Sequence, residues 1–176
     1  MLPVDQLPAG MSLFLNEPVC YLSYAFDMLV LGCGRIVNVT DHRQRPFQAA
    51  NLHMHMQGSW RVLYKGKILV GKQDWREEYR GSFSDMPKLA QKLEQLTQWC
   101  LRHKVFVKGF DRSPWGDITV MLSSHLTIQA FSDSCVTDDG EYLRWFQRIP
   151  YSGHYILYTN QSEVDYHNWK EEDDDD

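Results

Sequence analysis

The 176-residue chain carries 43% hydrophobic, 13% aromatic and 23% charged residues, enough to bury one core without disulfide or metal staples. Its longest apolar run, "MLVLGC" at 28–33, is far too short to span a bilayer as a helix, and "MLPVDQLPAG" has neither a basic stretch nor a long apolar segment of the export type. The net charge of −5 is uneven: removing the six acids of "EEDDDD" from the 23 Asp and Glu leaves 17 against 18 Lys and Arg, a near-neutral body unlike a nucleic-acid-binding surface.

In chain order, "MSLFLNEPV" reads as a short strand, and "EPVCYLSYAFD" as a short helix with Pro18 near its start and Val19, Leu22, Tyr24 and Phe26 as apolar contacts. "DMLVLGCG" predicts a buried strand stopped by Gly32 and Gly34, and "RIVNVTD" its partner across a Gly-rich turn. "HRQRPFQ" reads as a polar loop. From residue 51 the alternation is clear, with Leu52, Met54 and Met56 on one face of a strand and His53, His55 and Gln57 on the other. "SWRVLY", "KGK" and "ILVG" predict a hairpin turning at Gly66, and "KQDWREEYRGSFSD" a charged loop.

The sequence "MPKLAQKLEQLTQWCLRH" predicts a helix over about 86–103, capped by Ser84 or Asp85 and with Pro87 in its first turn. Leu89, Leu93, Leu96 and Cys100 form its apolar stripe, and Lys88, Gln91, Lys92 and Gln95 its wet side. "KVFVKGF", "DITVML", "LTIQAF", "EYLRWFQ" and "HYILYT" then read as an antiparallel meander. The expected fold is therefore a single α+β domain over 1–165. It has a mostly antiparallel sheet of about seven to nine strands, one main covering helix and a shorter N-terminal helix, followed by an acidic, flexible tail at 166–176. A faint internal echo relates "DMLVLGCG" and "LHMHMQGSWRV" to "DITVML", "LTIQAF" and "YLRWFQ". Strand and turn grammar alone can produce such an echo.

"YAFDMLVLGCG", "LHMHMQGSWRVLYKGKILVGKQDW" and "GDITVMLSSHLTIQAFSD" together resemble an uncharacterised bacterial family. The matching positions are Ala25, Asp27, Met28, Leu29, Leu52, His53, Trp60, Arg61, Gly66, Gly71 and Asp74. The likeness covers about residues 20–150; the second histidine and the longer acidic end depart from the pattern. It implies no activity. In its compact α+β build, aromatic richness and acidic character the chain also resembles cytosolic immunity proteins of bacterial toxin systems, an analogy of character rather than motif.

Candidate chemistry is sparse. His53 and His55 share a strand face and could meet one metal, but a zinc site needs a third donor, and no HExxH, second HxH or CxxC supplies one. Asp41, His42, His125 or Asp74 would have to converge in space. Two polar residues on the outer face of a half-buried strand account for the pattern without a metal. The four cysteines lie far apart. Cys20, Cys33 and Cys100 sit among apolar neighbours and read as packed free thiols of a reducing cytosol, leaving Cys135 as the exposed one. Nucleotide-loop and hydrolase-elbow motifs are absent. Trp60, Trp99 and Trp145 read as core; Trp75, Trp115 and Trp169 lie in loops or the tail, where aromatics often anchor partners.

These readings favour a non-enzymatic cytoplasmic binding protein without cofactor, most concretely an immunity protein that neutralises a toxin. The partner would be a basic toxin domain, not a nucleic acid or membrane. It would be met by Asp138, Asp139, Glu141, Trp115, Trp169, Glu171, Glu172, Asp173, Asp174, Asp175 and Asp176. The alternatives are a small metal-assisted enzyme at His53 and His55, and a structural adaptor.

Overall fold

The structure, a computed structural model, describes residues 1–26, 28–41, 43–75, 88–131, 141–150, 153–158 and 164–168. Among the described residues it contains eleven strands and one α-helix. The first half runs β1 (Val19–Ala25), β2 (Met28–Thr40), β3 (Pro46–Met56), β4 (Ser59–Tyr64), β5 (Lys67–Gly71) and the helix α1 (Lys88–Arg102). The second runs β6 (Val107–Arg112), β7 (Ile118–Leu122), β8 (Leu126–Phe131), β9 (Glu141–Gln147), β10 (His154–Tyr158) and β11 (Asp165–His167). They form two antiparallel sheets rather than the single one expected, of order β1-β2-β3-β9-β10-β11 and β5-β4-β8-β7-β6.

The core follows from alternation. Leu29, Leu31, Met54 and Met56 of one sheet and Val62, Ile118, Val120 and Ile128 of the other belong to one buried cluster. Trp60 and Trp145 join it, and Trp99 packs against it half-buried. The helix buries Leu89, Leu93, Leu96 and Cys100 as its spacing predicts and leaves Lys88, Gln91, Lys92 and Gln95 exposed. It rests mainly on β1, where the Thr97 hydroxyl accepts from the Leu22 N–H at 2.8 Å and donates to the Leu22 carbonyl at 3.1 Å. A helix side chain thus completes the hydrogen bonding of an edge strand. The segments leading into β1 and into the other sheet's β6 are tied together by Val19 N–H to Val105 O and Asn16 N–H to Val107 O, both 2.8 Å.

Four expectations are corrected here. "MSLFLNEPV" is not a strand: Met11–Phe14 is a 3₁₀ turn that buries Met11 and Phe14. "EPVCYLSYAFD" is not a helix but contains β1. Val19 opposes Cys33 and Tyr21 opposes Gly32, so Cys20 is an extra, bulged residue. The bulge resets the strand phase, and Val19 and Leu22 both face inward at a spacing of three, which in sequence imitates a helix. The glycines do not stop "DMLVLGCG", because β2 continues unbroken to Thr40. A Cβ on Gly32 would stand 2.5 Å from the Tyr21 ring, and Gly34, at φ 84°, sits in a bulge between Cys33 and Ile36. Both mark close approach and a kink rather than a turn. "HRQRPFQ" is only partly loop, since β3 begins at Pro46. The hairpin of β4 and β5 forms as read, with Lys65 and Gly66 both at positive φ.

The meander strands exist but divide, β6 to β8 in one sheet and β9 and β10 in the other, where β11 pairs with β10 and takes Tyr166 and His167 out of the tail expected from 166 onward. This division has a twofold logic. The first half lays three strands in one sheet and sends β4 and β5 to the second; the second half lays β6, β7 and β8 there and sends β9 and β10 back. Registers correspond. Leu31 opposes Met54, which opposes Trp145; in the other sheet Val120 opposes Ile128, which opposes Val62. The bulge at Cys20 has its counterpart at Lys108, between Val107 and Gly109. The echo read in the sequence falls on these equivalent strands, β2-β3-β4 and β7-β8-β9.

A histidine and arginine groove on the outer face of one sheet

Because Leu52, Met54 and Met56 point into the core, His53 and His55 take the opposite face of β3. The register sets their neighbours. One row across the six strands reads Tyr21, Gly32, His53, Phe146, His154 and His167; the next places Val30, His55, Arg144 and Ile156 side by side. This face is not the wet surface expected of it. His53 is 3% exposed and His154 5%, and Val30 and Ile156 are buried as well.

Gly32 lets the Tyr21 ring lie over β2, so that its hydroxyl comes within 3.0 Å of His53 Nε2. The His53 ring stacks on Phe146 with centroids 5.1 Å apart and planes at 13°, while His55 meets Phe146 edge-on at 5.3 Å. Arg148 lies over both Phe146 and Phe47, at 5.5 and 5.6 Å from the ring centroids, and donates its Nε–H to His53 Nε2 at 2.9 Å. The same Nε2 lies 3.0 Å from the Ala50 carbonyl oxygen, so Arg148, Tyr21 and Ala50 converge on this one atom. The other ring nitrogen, Nδ1, is buried and has no hydrogen-bond partner among the described residues. Next to it, Arg144 grips Glu141 through Nε at 2.8 Å and Nη2 at 2.6 Å, and Gln57 donates to the same carboxylate at 2.6 Å.

Electrostatics keep both imidazoles neutral. Burial, then the charge of Arg148 and the neighbouring His55, push His53 down to about 3. Burial, then Arg144 and Arg148, push His55 down to about 4. Imidazoles of such low basicity are weak proton acceptors for catalysis near neutral pH. Nor are the described thiols poised as nucleophiles. Burial raises Cys33 well above its ordinary value and Cys100 to about 12, and burial with Glu17 nearby raises Cys20.

Beside these groups opens a groove of about 460 Å³, lined by Val39, Thr40, His55, Arg144, Phe146, Arg148 and His154. The sequence singled out only His55 of these. Arg144, Phe146 and Arg148 alternate with Leu143 and Trp145, so their shared face was legible, but that β9 lies against β3 was not.

The other predicted positions scatter. His53 and His55 are adjacent, 5.8 Å between ring centroids, yet no group of three His, Cys, Asp or Glu converges as a metal site among the described residues. Glu141 is held within the molecule by Arg144 and Gln57, its side chain 15% exposed. Trp115 is 84% exposed in the turn between β6 and β7, and Tyr142 ties that turn to β9 by donating to the Gly116 carbonyl at 2.5 Å. Asp138, Asp139, Trp169, Glu171, Glu172, Asp173, Asp174, Asp175 and Asp176 lie outside the described residues, as do Cys135 and the helix cap at 84–87. No described helix is long and apolar enough to cross a membrane. In comparison with known proteins, no family model matches the chain, and no curated protein or solved structure gives a significant match.

Proposed function

We propose that this chain is a non-enzymatic binding protein whose recognition site is the groove on the outer face of the six-stranded sheet. The observation that carries the reading is the groove's construction. Arg144 and Arg148 are oriented by Glu141 and by His53 with two aromatic rings, the first on β9, a strand paired on both sides, and the second just beyond its end, beside imidazoles too weakly basic for proton abstraction at neutral pH. Preorganised donors on a rigid sheet serve binding.

The most concrete role is that of an immunity protein that neutralises a toxin by direct contact. The compact aromatic build, the exposed Trp115 and the acidic run at 171–176 support it, the last as a steering charge toward a basic partner. The test is to express the product of an adjacent toxin-like reading frame with this chain and measure complex formation by calorimetry. Arg148→Gln and His55→Gln should each weaken the complex roughly tenfold or more, as loss of a charge-assisted hydrogen bond would. A complex unaffected by both changes places recognition elsewhere, and no complex at all removes the immunity role.

A further inference from the structure

We propose that the groove binds an oxyanion group, phosphate or carboxylate, carried by a small organic ligand or side chain; this rests on the reading of the groove as the recognition site. The lining is rich in donors: two guanidiniums, the Thr40 hydroxyl and the imidazoles of His55 and His154. The carboxylate that acts on His55 is Glu141, and it is already spanned by Arg144 and Gln57. Val39 and Phe146 supply an apolar wall, and a space of about 460 Å³ exceeds what a bare phosphate fills. The chemistry on offer is therefore an oxyanion held by N–H and O–H donors, with its organic part against Phe146.

The molecule contains its own control for whether this clustering is a requirement of the fold. In the other sheet, Gln129 stands opposite Arg61 as His55 stands opposite Arg144. Arg61 donates to Gln129 Oε1 at 2.7 Å and lies over the Phe131 ring. At the equivalent place, then, the architecture is satisfied by one glutamine facing one arginine beside an aromatic ring. The second guanidinium over Phe146 and the imidazoles on either side are additions confined to the first sheet. They bring buried, titratable groups next to fixed positive charge, which is costly for folding and useful for an anion. A bound oxyanion would offset the Arg144 and Arg148 charges that disfavour protonation of His55, so occupancy and His55 protonation should be linked.

The experiment titrates the full-length protein with inorganic phosphate, phenyl phosphate and benzoate at constant ionic strength, followed by calorimetry and by imidazole NMR. The expected result is saturable binding in at least one arm, with the His55 and His154 resonances moving; the arm that binds identifies phosphate or carboxylate. His55→Gln, which copies the Gln129 arrangement and should fold normally, is expected to weaken binding roughly tenfold. Arg148→Lys, which keeps the charge but loses the planar fork, should do the same. Shifts reproduced by sodium chloride, absence of saturation in every arm, or binding unchanged in both variants would overturn the proposal. If no oxyanion binds while the protein complex is still lost in His55→Gln, the groove remains the recognition site and only its ligand chemistry is wrong.

Discussion

Arg148, just beyond the end of β9, donates its Nε–H to the Nε2 of His53 on β3 at 2.9 Å, so a charged guanidinium is fastened to an imidazole that stays neutral. This contact holds Arg148 in place above Phe146 and Phe47.

Replacing Arg148 with methionine keeps much of the aliphatic cover and removes the donor and the charge. The His53 pKa should rise from about 3, because the second of its depressing causes is gone, while burial still holds it below the ordinary value. Stability should fall by about 1–2 kcal/mol for the lost hydrogen bond. Histidine NMR titration and urea unfolding measure the two effects. A His53 titration identical in parent and variant would mean that Arg148 does not sit where it is described.

Stability should decline on mild acidification. Histidines in the unfolded chain titrate near 6.5; in the fold His53 and His55 do so at about 3 and about 4. Between these values the unfolded state binds more protons, so the stabilisation is fully present above pH 6.5 and is lost as pH falls toward the folded pKa values. Each histidine contributes up to about 1.4 kcal/mol per pH unit in that window. Urea midpoints from pH 7.5 to 4.5 test this, and His55→Gln should roughly halve the slope above pH 5. A flat profile would show that these imidazoles are solvated.

Thr97→Val is nearly isosteric but strips both hydrogen bonds from Leu22, leaving a buried N–H and carbonyl unmet on the edge of β1. The expected loss is about 2–4 kcal/mol, with faster amide exchange at Leu22. Thr97→Ser should recover most of it. Equal stability in parent and Thr97→Val would mean that the helix does not complete this edge.

Cys100 is fully buried on the inner face of α1. Cys100→Asp should destabilise by several kcal/mol through an unpaired buried charge, and a thiol reagent should leave native Cys100 unlabelled until the protein unfolds. Rapid labelling under native conditions would turn the helix the other way.

Where structure is decided by neighbours along the chain, the sequence was sufficient. The stripe of Leu89, Leu93, Leu96 and Cys100, the alternation of Leu52, Met54 and Met56, and the turn at Lys65 and Gly66 each express a local period or a local backbone preference, and each appears as read. The sharing of one face by His53 and His55 was legible for the same reason. The local signal misleads at β1, where the bulge at Cys20 gives a strand the apolar spacing of a helix, a fact visible only once Val19 and Tyr21 have partners on β2. Pairing between distant strands belongs to tertiary structure altogether. Nothing near residue 55 indicates that Arg144 will stand opposite it, or that Tyr21 will cross a glycine to reach His53. The candidate site was therefore half written in the sequence: alternation chose which face His53 and His55 occupy, but only the pairing of β9 with β3, and of β10 with β9, turned that face from a wet surface into a cationic groove.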